Sequence, residues 1–135
     1  MTWEPRPTPD VNPETEPFWE AAADEQFLLQ ECDDCGLVYY YPRAFCPDCF
    51  GENVSWIEAE GTGTVYSYSV SEQVAGWPEE KLPLVVAYVE LAEGPRVMTN
   101  LIDCDPEDVA VGDEVEVRFE PAEDGDIAIP VFEPV

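Results

Sequence analysis

The sequence predicts a mainly β chain: an N-terminal helix, a metal-stapled ribbon, and a small five-stranded barrel. Three observations carry this. Two Cys-x-x-Cys pairs, Cys32/Cys35 and Cys46/Cys49, stand with ten residues between the inner cysteines. An amphipathic stretch precedes them. From Gly61 onward, short alternating runs are separated by turn residues.

The elements follow in order. Residues 1–12 carry Pro5, Pro7 and Pro9 and read as an extended arm, either disordered or laid on a partner. Asn12-Pro13 reads as an N-cap with proline at the first helical position, and Glu14 and Glu16 suit the positive end of a helix. Residues 14–24 place Phe18, Trp19, Ala22 and Ala23 on one stripe. Phe18 and Trp19 either pack on their own domain or face a partner subunit, since so short a unit has little core to cover them.

Phe27-Leu28-Leu29 is a strand entering the first knuckle, and 37–41, Leu-Val-Tyr-Tyr-Tyr, is a strand leaving it, closed by Pro42. Phe45 leads into the second knuckle. Two knuckles supply four sulfurs, the ligand set of a closed tetrahedral Zn²⁺ site at Cys32, Cys35, Cys46 and Cys49. Two disulfides or four free thiols would leave the paired spacing unexplained. The division is 1–25 for arm and helix, 26–53 for the ribbon and 54–135 for the barrel.

The barrel strands are 64–70, 84–91, 96–102, 114–119 and 127–132, with 54–58 as a strand leading in. Residues 73–83 form the longest loop, which carries Trp77 and Lys81. Five short strands with these turns fit the oligonucleotide-binding (OB) type of barrel.

Charge restricts function. Thirty-one acids face five bases, a formal net of −26, yet 45% of residues are hydrophobic. Nucleic-acid affinity rests on Lys and Arg against phosphates, so a nucleic-acid partner is excluded. Acids spread over the whole chain repel one another. Molar salt, with a Debye length of about 3 Å, screens that repulsion. A protein from a salt-loving organism is expected, ahead of a merely acidic protein or an acidic decoy. No apolar run spans a membrane, and the N-terminus lacks the features of a signal peptide, so a cytoplasmic location is expected.

Catalytic chemistry is scarce. There is no histidine, which removes the commonest general base and the usual triads and dyads. A four-cysteine site has no open position. Cys104, between Asp103 and Asp105, reads as a buried or half-buried thiol. Gly61-Thr62-Gly63-Thr64 is too weak a match to a phosphate loop. The residues point to a binding module.

The order of motifs resembles the DUF35 family. Phe18-Trp19, then Leu28-Leu29-Gln30-Glu31-Cys32 with Cys35-Gly36, then Tyr41-Pro42-Arg43 with Cys46-Pro47 and Cys49, are similar to its rubredoxin-like zinc ribbon. Gly61-Thr62-Gly63-Thr64-Val65-Tyr66-Ser67-Tyr68, the Gly94-Pro95-Arg96-Val97 turn, Asp105-Pro106-Glu107-Asp108-Val109 and Pro130-Val131-Phe132 are similar to its OB domain. Two departures spare the metal ligands: Tyr41-Pro42-Arg43 replaces Pro-Pro-Arg, and Phe50 separates Cys49 from Gly51. The resemblance implies a non-catalytic subunit in a hetro-oligomeric acyl-CoA-processing complex. The expected partner is a thiolase, of β-ketothiolase (acetyl-CoA acetyltransferase) or hydroxymethylglutaryl-CoA synthase type, as in two-component haloarchaeal β-ketothiolases. A MaoC-type enoyl-CoA hydratase partner is the alternative, and an iron-holding redox module a third reading.

Within that reading, Phe18, Trp19, Tyr39, Tyr40 and Tyr41 are candidate interface anchors, or packing of the ribbon itself. Arg43 is a candidate contact to a CoA phosphate or a partner carboxylate, or an offset to the metal–thiolate charge. Trp77 and Lys81 are weaker candidates.

Overall fold

The computed structural model describes residues 6–123 and 125–135. The first five residues of the proline-rich arm lie outside it. Helix α1 (Glu16–Ala23) leads into β1 (Leu28–Cys32), β2 (Val38–Tyr39) and β3 (Val54–Glu58). The barrel follows as β4 (Thr62–Ser71), β5 (Leu84–Leu91), β6 (Arg96–Leu101), β7 (Glu114–Pro121) and β8 (Ala128–Pro134).

The helix begins at Glu16, three residues later than the Asn12-Pro13 signal suggests. Asn12 caps a turn: its Oδ1 accepts from the backbone N–H groups of Glu14 and Thr15, both at 3.1 Å. The helix ends where Glu25 enters the left-handed region at φ 61°. There Glu25 N–H donates to Ala22 O and Gln26 N–H to Ala21 O, closing the orphan carbonyls.

The ribbon is a three-stranded antiparallel sheet ordered β2-β1-β3. The expected long strand after the first knuckle is only two residues. Beyond Tyr39 the chain leaves the sheet so that Tyr40 and Tyr41 can pack on Phe18. The run 54–58, grouped with the barrel by sequence, forms its ladder with β1, from Leu28↔Glu58 to Cys32↔Val54.

The second unit is a closed barrel ordered β4-β5-β6-β8-β7, with β7 returning to β4. Neighbours are antiparallel except β6 and β8, which meet in parallel at Leu101↔Phe132. Alternation fixes the inside: Val85, Ala87, Val89 and Leu91 of β5 point inward with Val65, Val97, Leu101, Val115 and Phe132. The Gly61-Thr62-Gly63 motif proves to be a barrel corner. Gly61 has φ +80°, and its O accepts from Val117 N–H at 2.7 Å. A Cβ on Gly63 would stand 2.5 Å from Glu90 O, so only glycine lets β4 lie this close to β5.

Arg6, in the arm, is laid on its own barrel. It bridges Ala122, pairs with Glu120 at 3.0 Å, donates to Asn100 Oδ1 at 2.7 Å and sits over the Trp77 ring. No helix among the described residues is long and apolar enough to cross a membrane.

Candidate metal centre and its surroundings

The two knuckles are copies of one backbone design. In the first, Gly36 N–H donates to Cys32 O and Cys32 N–H to Leu37 O, each at 2.9 Å. In the second, Phe50 N–H donates to Cys46 O and Cys46 N–H to Gly51 O, also each at 2.9 Å. A backbone N–H points at a sulfur in both: Cys35 to Cys32 and Asp48 to Cys46, each at 3.4 Å. Gly36 and Phe50 occupy the same left-handed position, at φ 79° and 62°. For an L-residue other than glycine, that conformation costs roughly 1–2 kcal/mol.

The copies bring four sulfurs together. All lie within 4.8 Å of one another, with Cys32–Cys49 at 3.5 Å and Cys35–Cys46 at 3.6 Å. These distances are far beyond a disulfide bond of about 2.05 Å. A tetrahedron of Zn–S bonds near 2.3 Å has edges of about 3.8 Å, so the donor set fits a tetrahedral ion. Cys32 and Cys46 are buried, Cys35 and Cys49 exposed. Burial raises the Cys46 thiol, but backbone N–H groups of Cys49 and Asp48 outweigh it and bring it to about 7. At Cys35 the Leu37 N–H lowers the thiol, yet burial and the neighbouring cysteines carry it up to about 12. Cys46 thus ionises readily, while Cys35 keeps its proton until a cation replaces it.

Helix and ribbon meet in an aromatic cluster. Phe18 stacks edge-on against Trp19, Phe27 and Tyr41, with centroids 4.9 to 5.9 Å apart, and lies tilted against Tyr40 at 5.8 Å. Phe18, at 1% exposure, Trp19 and Tyr39 are buried, Tyr40 is half-buried and Tyr41 is 36% exposed. Of the two expectations for these five residues, partner anchors or packing of the ribbon itself, the second describes the contacts within this chain: most of this aromatic surface joins α1 to the ribbon. Burial raises the Tyr40 phenol well above the ordinary tyrosine value, with a smaller push from Tyr41.

Arg43 is exposed, held by its backbone: its N–H donates to the buried Gln30 Oε1 at 2.7 Å, and its O accepts from Tyr39 Oη at 3.5 Å. Three of the four arginines grip carboxylates: Arg6 on Glu120, Arg96 on Glu90, Arg118 on Glu133 and Glu116. Arg43 grips none among the described residues. Beyond it the surface is aromatic. Phe45 and Phe50 flank the second knuckle with rings 6.2 Å apart, 45% and 70% exposed. Sequence reasoning did not single out this pair. The aromatic side chain at the left-handed knuckle position was the available signal.

Trp77 and Lys81 line a cleft of about 570 Å³ with Arg6, Cys104 and Glu120, far from the sulfurs in sequence and in sheet. Cys104 is half-buried, and burial, then Asp103 and Asp105, push its thiol up, which fits an inert thiol.

Comparison with known proteins agrees with this geometry. Residues 19–55 match the rubredoxin-like zinc ribbon domain of ChsH2, and residues 56–120 its C-terminal OB-fold domain. A DUF35 domain-containing scaffold protein of Methanothermobacter thermautotrophicus is 39% identical over 103 residues, covering 73% of this chain and 77% of that protein. A probable enoyl-CoA hydratase alpha subunit of Thermomonospora curvata is 36% identical over 129 residues. That match takes in 96% of this chain, which spans only 40% of the hydratase subunit's length. Among solved structures, a chain of the Ltp2-ChsH2(DUF35) aldolase superposes with a TM-score of 0.82 at 35% identity, covering 94% of this chain and 98% of that one. A zinc-ribbon cysteine cluster on an OB barrel, with these relatives, places the chain in the DUF35 family.

Proposed function

We propose that this chain is a non-catalytic accessory subunit of an acyl-CoA-processing complex, paired with a thiolase-type catalytic subunit. The observation that supports it best is the fold likeness, over nearly the whole of both chains, to a component of an aldolase whose name joins two proteins. The chemistry agrees: the sequence has no histidine, four of its cysteines converge in one cluster, and its fifth thiol is pushed up.

In this reading Cys32, Cys35, Cys46 and Cys49 hold a structural Zn²⁺. The ion supplies cross-linking and no reactivity. The cysteines fix the ribbon, Gln30 and Tyr39 fix the loop bearing Arg43, and the aromatic cluster fixes the helix. Arg43 is then free to meet a CoA phosphate or a partner carboxylate. The acid-rich surface is an adaptation to molar salt.

A hydratase-type catalytic partner is the second reading, favoured by the similarity to an enoyl-CoA hydratase alpha subunit. The deciding experiment assays purified thiolase-type and hydratase-type subunits of the source organism in molar KCl, each alone and with this chain. Activity that requires the chain identifies the partner. Full activity of both without it overturns the proposal. Colour decides the metal: the zinc form is colourless, whereas a ferric four-thiolate centre absorbs in the visible.

A further inference from the structure

We infer that Phe45, Phe50 and Arg43 form the face by which this chain docks on its catalytic subunit, into an apolar pocket rimmed by a carboxylate. The inference rests on the accessory-subunit reading and locates its interface away from Phe18 and Trp19, which the fold buries.

The first argument is internal to the ribbon. The two knuckles share their backbone-to-backbone hydrogen bonds position for position, so Gly36 and Phe50 answer the same conformational demand. Glycine meets that demand without strain, and phenylalanine does not. The ring gains nothing inside the chain that would offset this, because it is the most exposed phenylalanine or tyrosine among the described residues, at 70%. Among the described residues, Phe45 is the only ring within stacking distance of it. A strained backbone position that displays an apolar ring to water is explained by a surface that covers the ring.

The second argument is charge. Residues 37–47 contain no acid and one base, in a chain where acids outnumber bases by 31 to five. Arg43 in this stretch grips no carboxylate among the described residues, whereas the three other arginines do. The part of the face that carries Arg43 and Phe45 is therefore apolar with one positive charge, while Phe50 stands between Asp48 and Glu52, with the Asp34 carboxylate beside Gly51. Its complement is an apolar pocket with a carboxylate at the rim, and aromatic rings with arginine are the composition of binding hot spots. With five bases against 31 acids, the chain offers no basic surface to an anionic lipid surface or to nucleic acid. The barrel offers a weaker alternative. There Arg96 already covers Tyr66 at 3.7 Å and holds Glu90, and the exposed cross-strand pair Tyr88 and Met98 sits on extended β-strand with no backbone strain.

The test titrates wild-type chain and variants against the purified thiolase-type and hydratase-type subunits in molar KCl by calorimetry. Phe50→Gly restores the residue that the first knuckle uses, so metal stoichiometry and melting temperature should hold or improve. Its affinity for the catalytic subunit should nevertheless fall about ten-fold or more, as should that of Phe45→Ser. Arg43→Gln should weaken binding, and Arg43→Glu weaken it further. Met98→Ser, an equally exposed change on the barrel, should bind like wild type. Phe50→Gly and Phe45→Ser chains that load metal and bind within about two-fold of wild type would overturn the docking face while leaving the accessory role intact. Sedimentation that shows a wild-type dimer abolished by Phe50→Gly would assign the face to self-association and also overturn it. If wild type binds neither catalytic subunit, the accessory reading fails, and the docking face with it.

Discussion

The indole N–H of Trp19 donates to the hydroxyl of Tyr41 at 3.1 Å, joining helix α1 to the loop that follows β2. The two residues are 22 apart in sequence, and Phe18 touches both rings. The bond orients the one tyrosine of the 39–41 run that keeps an exposed face. Trp19→Phe and Tyr41→Phe should each cost about 1 kcal/mol, and the double variant should cost less than their sum. Chemical unfolding of the four chains measures the coupling, and strict additivity would show that the bond contributes nothing.

The sulfur cluster should hold the ribbon together. Structural zinc contributes roughly 10–16 kcal/mol in small peptides, comparable to the whole stability of a domain. Cys32→Ser is therefore expected to abolish stoichiometric metal, ribbon folding and partner binding. Metal analysis and near-ultraviolet dichroism check this. A variant that retained one ion per chain and restored activity would show the cluster to be dispensable.

Tyr40 gives a pH dependence with a definite sign. Its phenol is raised by burial, so the fold favours the neutral form. The unfolded chain ionises near pH 10. The stabilisation is thus full below about pH 10 and is lost as pH rises from there toward the folded value. Melting temperatures of wild type and Tyr40→Phe at about pH 8 and pH 11 test it. The wild type should lose more over that interval, and equal losses would count against the buried phenol.

Salt should stabilise the chain. With a net charge of −26, the unfolding midpoint should rise steadily from low to molar KCl. A midpoint that stayed flat or fell would remove the case for a salt-adapted surface.

Much of this was legible in the sequence because its signals are local. The cysteine spacing specifies the knuckles, and alternation specifies the barrel strands: β5 runs over the expected residues, and β7 includes its predicted run. Pairing was less legible. Alternation in Val54–Glu58 says that a strand forms but not which edge it joins, and β1 claims it. The stripe of Phe18 and Trp19 says that they are covered but not by what, and the ribbon's own tyrosines cover them. Asn12 carries the polar signature of a cap and uses it on a turn three residues before Thr15, the residue that caps the helix. The sequence leaves the arm either disordered or laid on a partner, because the partners of Arg6 within the chain, Asn100 and Glu120, lie 94 and 114 residues away.

One ring contact joins the two sheets. Phe27, at the entrance to β1, lies 6.1 Å from Phe132 of β8, and Phe132 sits where β8 meets β6. The rings continue without interruption from Trp19 through Phe18 and Phe27 to the seam that closes the barrel. Ribbon and barrel share one core, so they are expected to melt as a single unit in which the barrel responds to the state of the sulfur cluster. Scanning calorimetry should record one endotherm whose van't Hoff and calorimetric enthalpies agree. A chelator should move that whole endotherm to lower temperature instead of splitting off a shoulder.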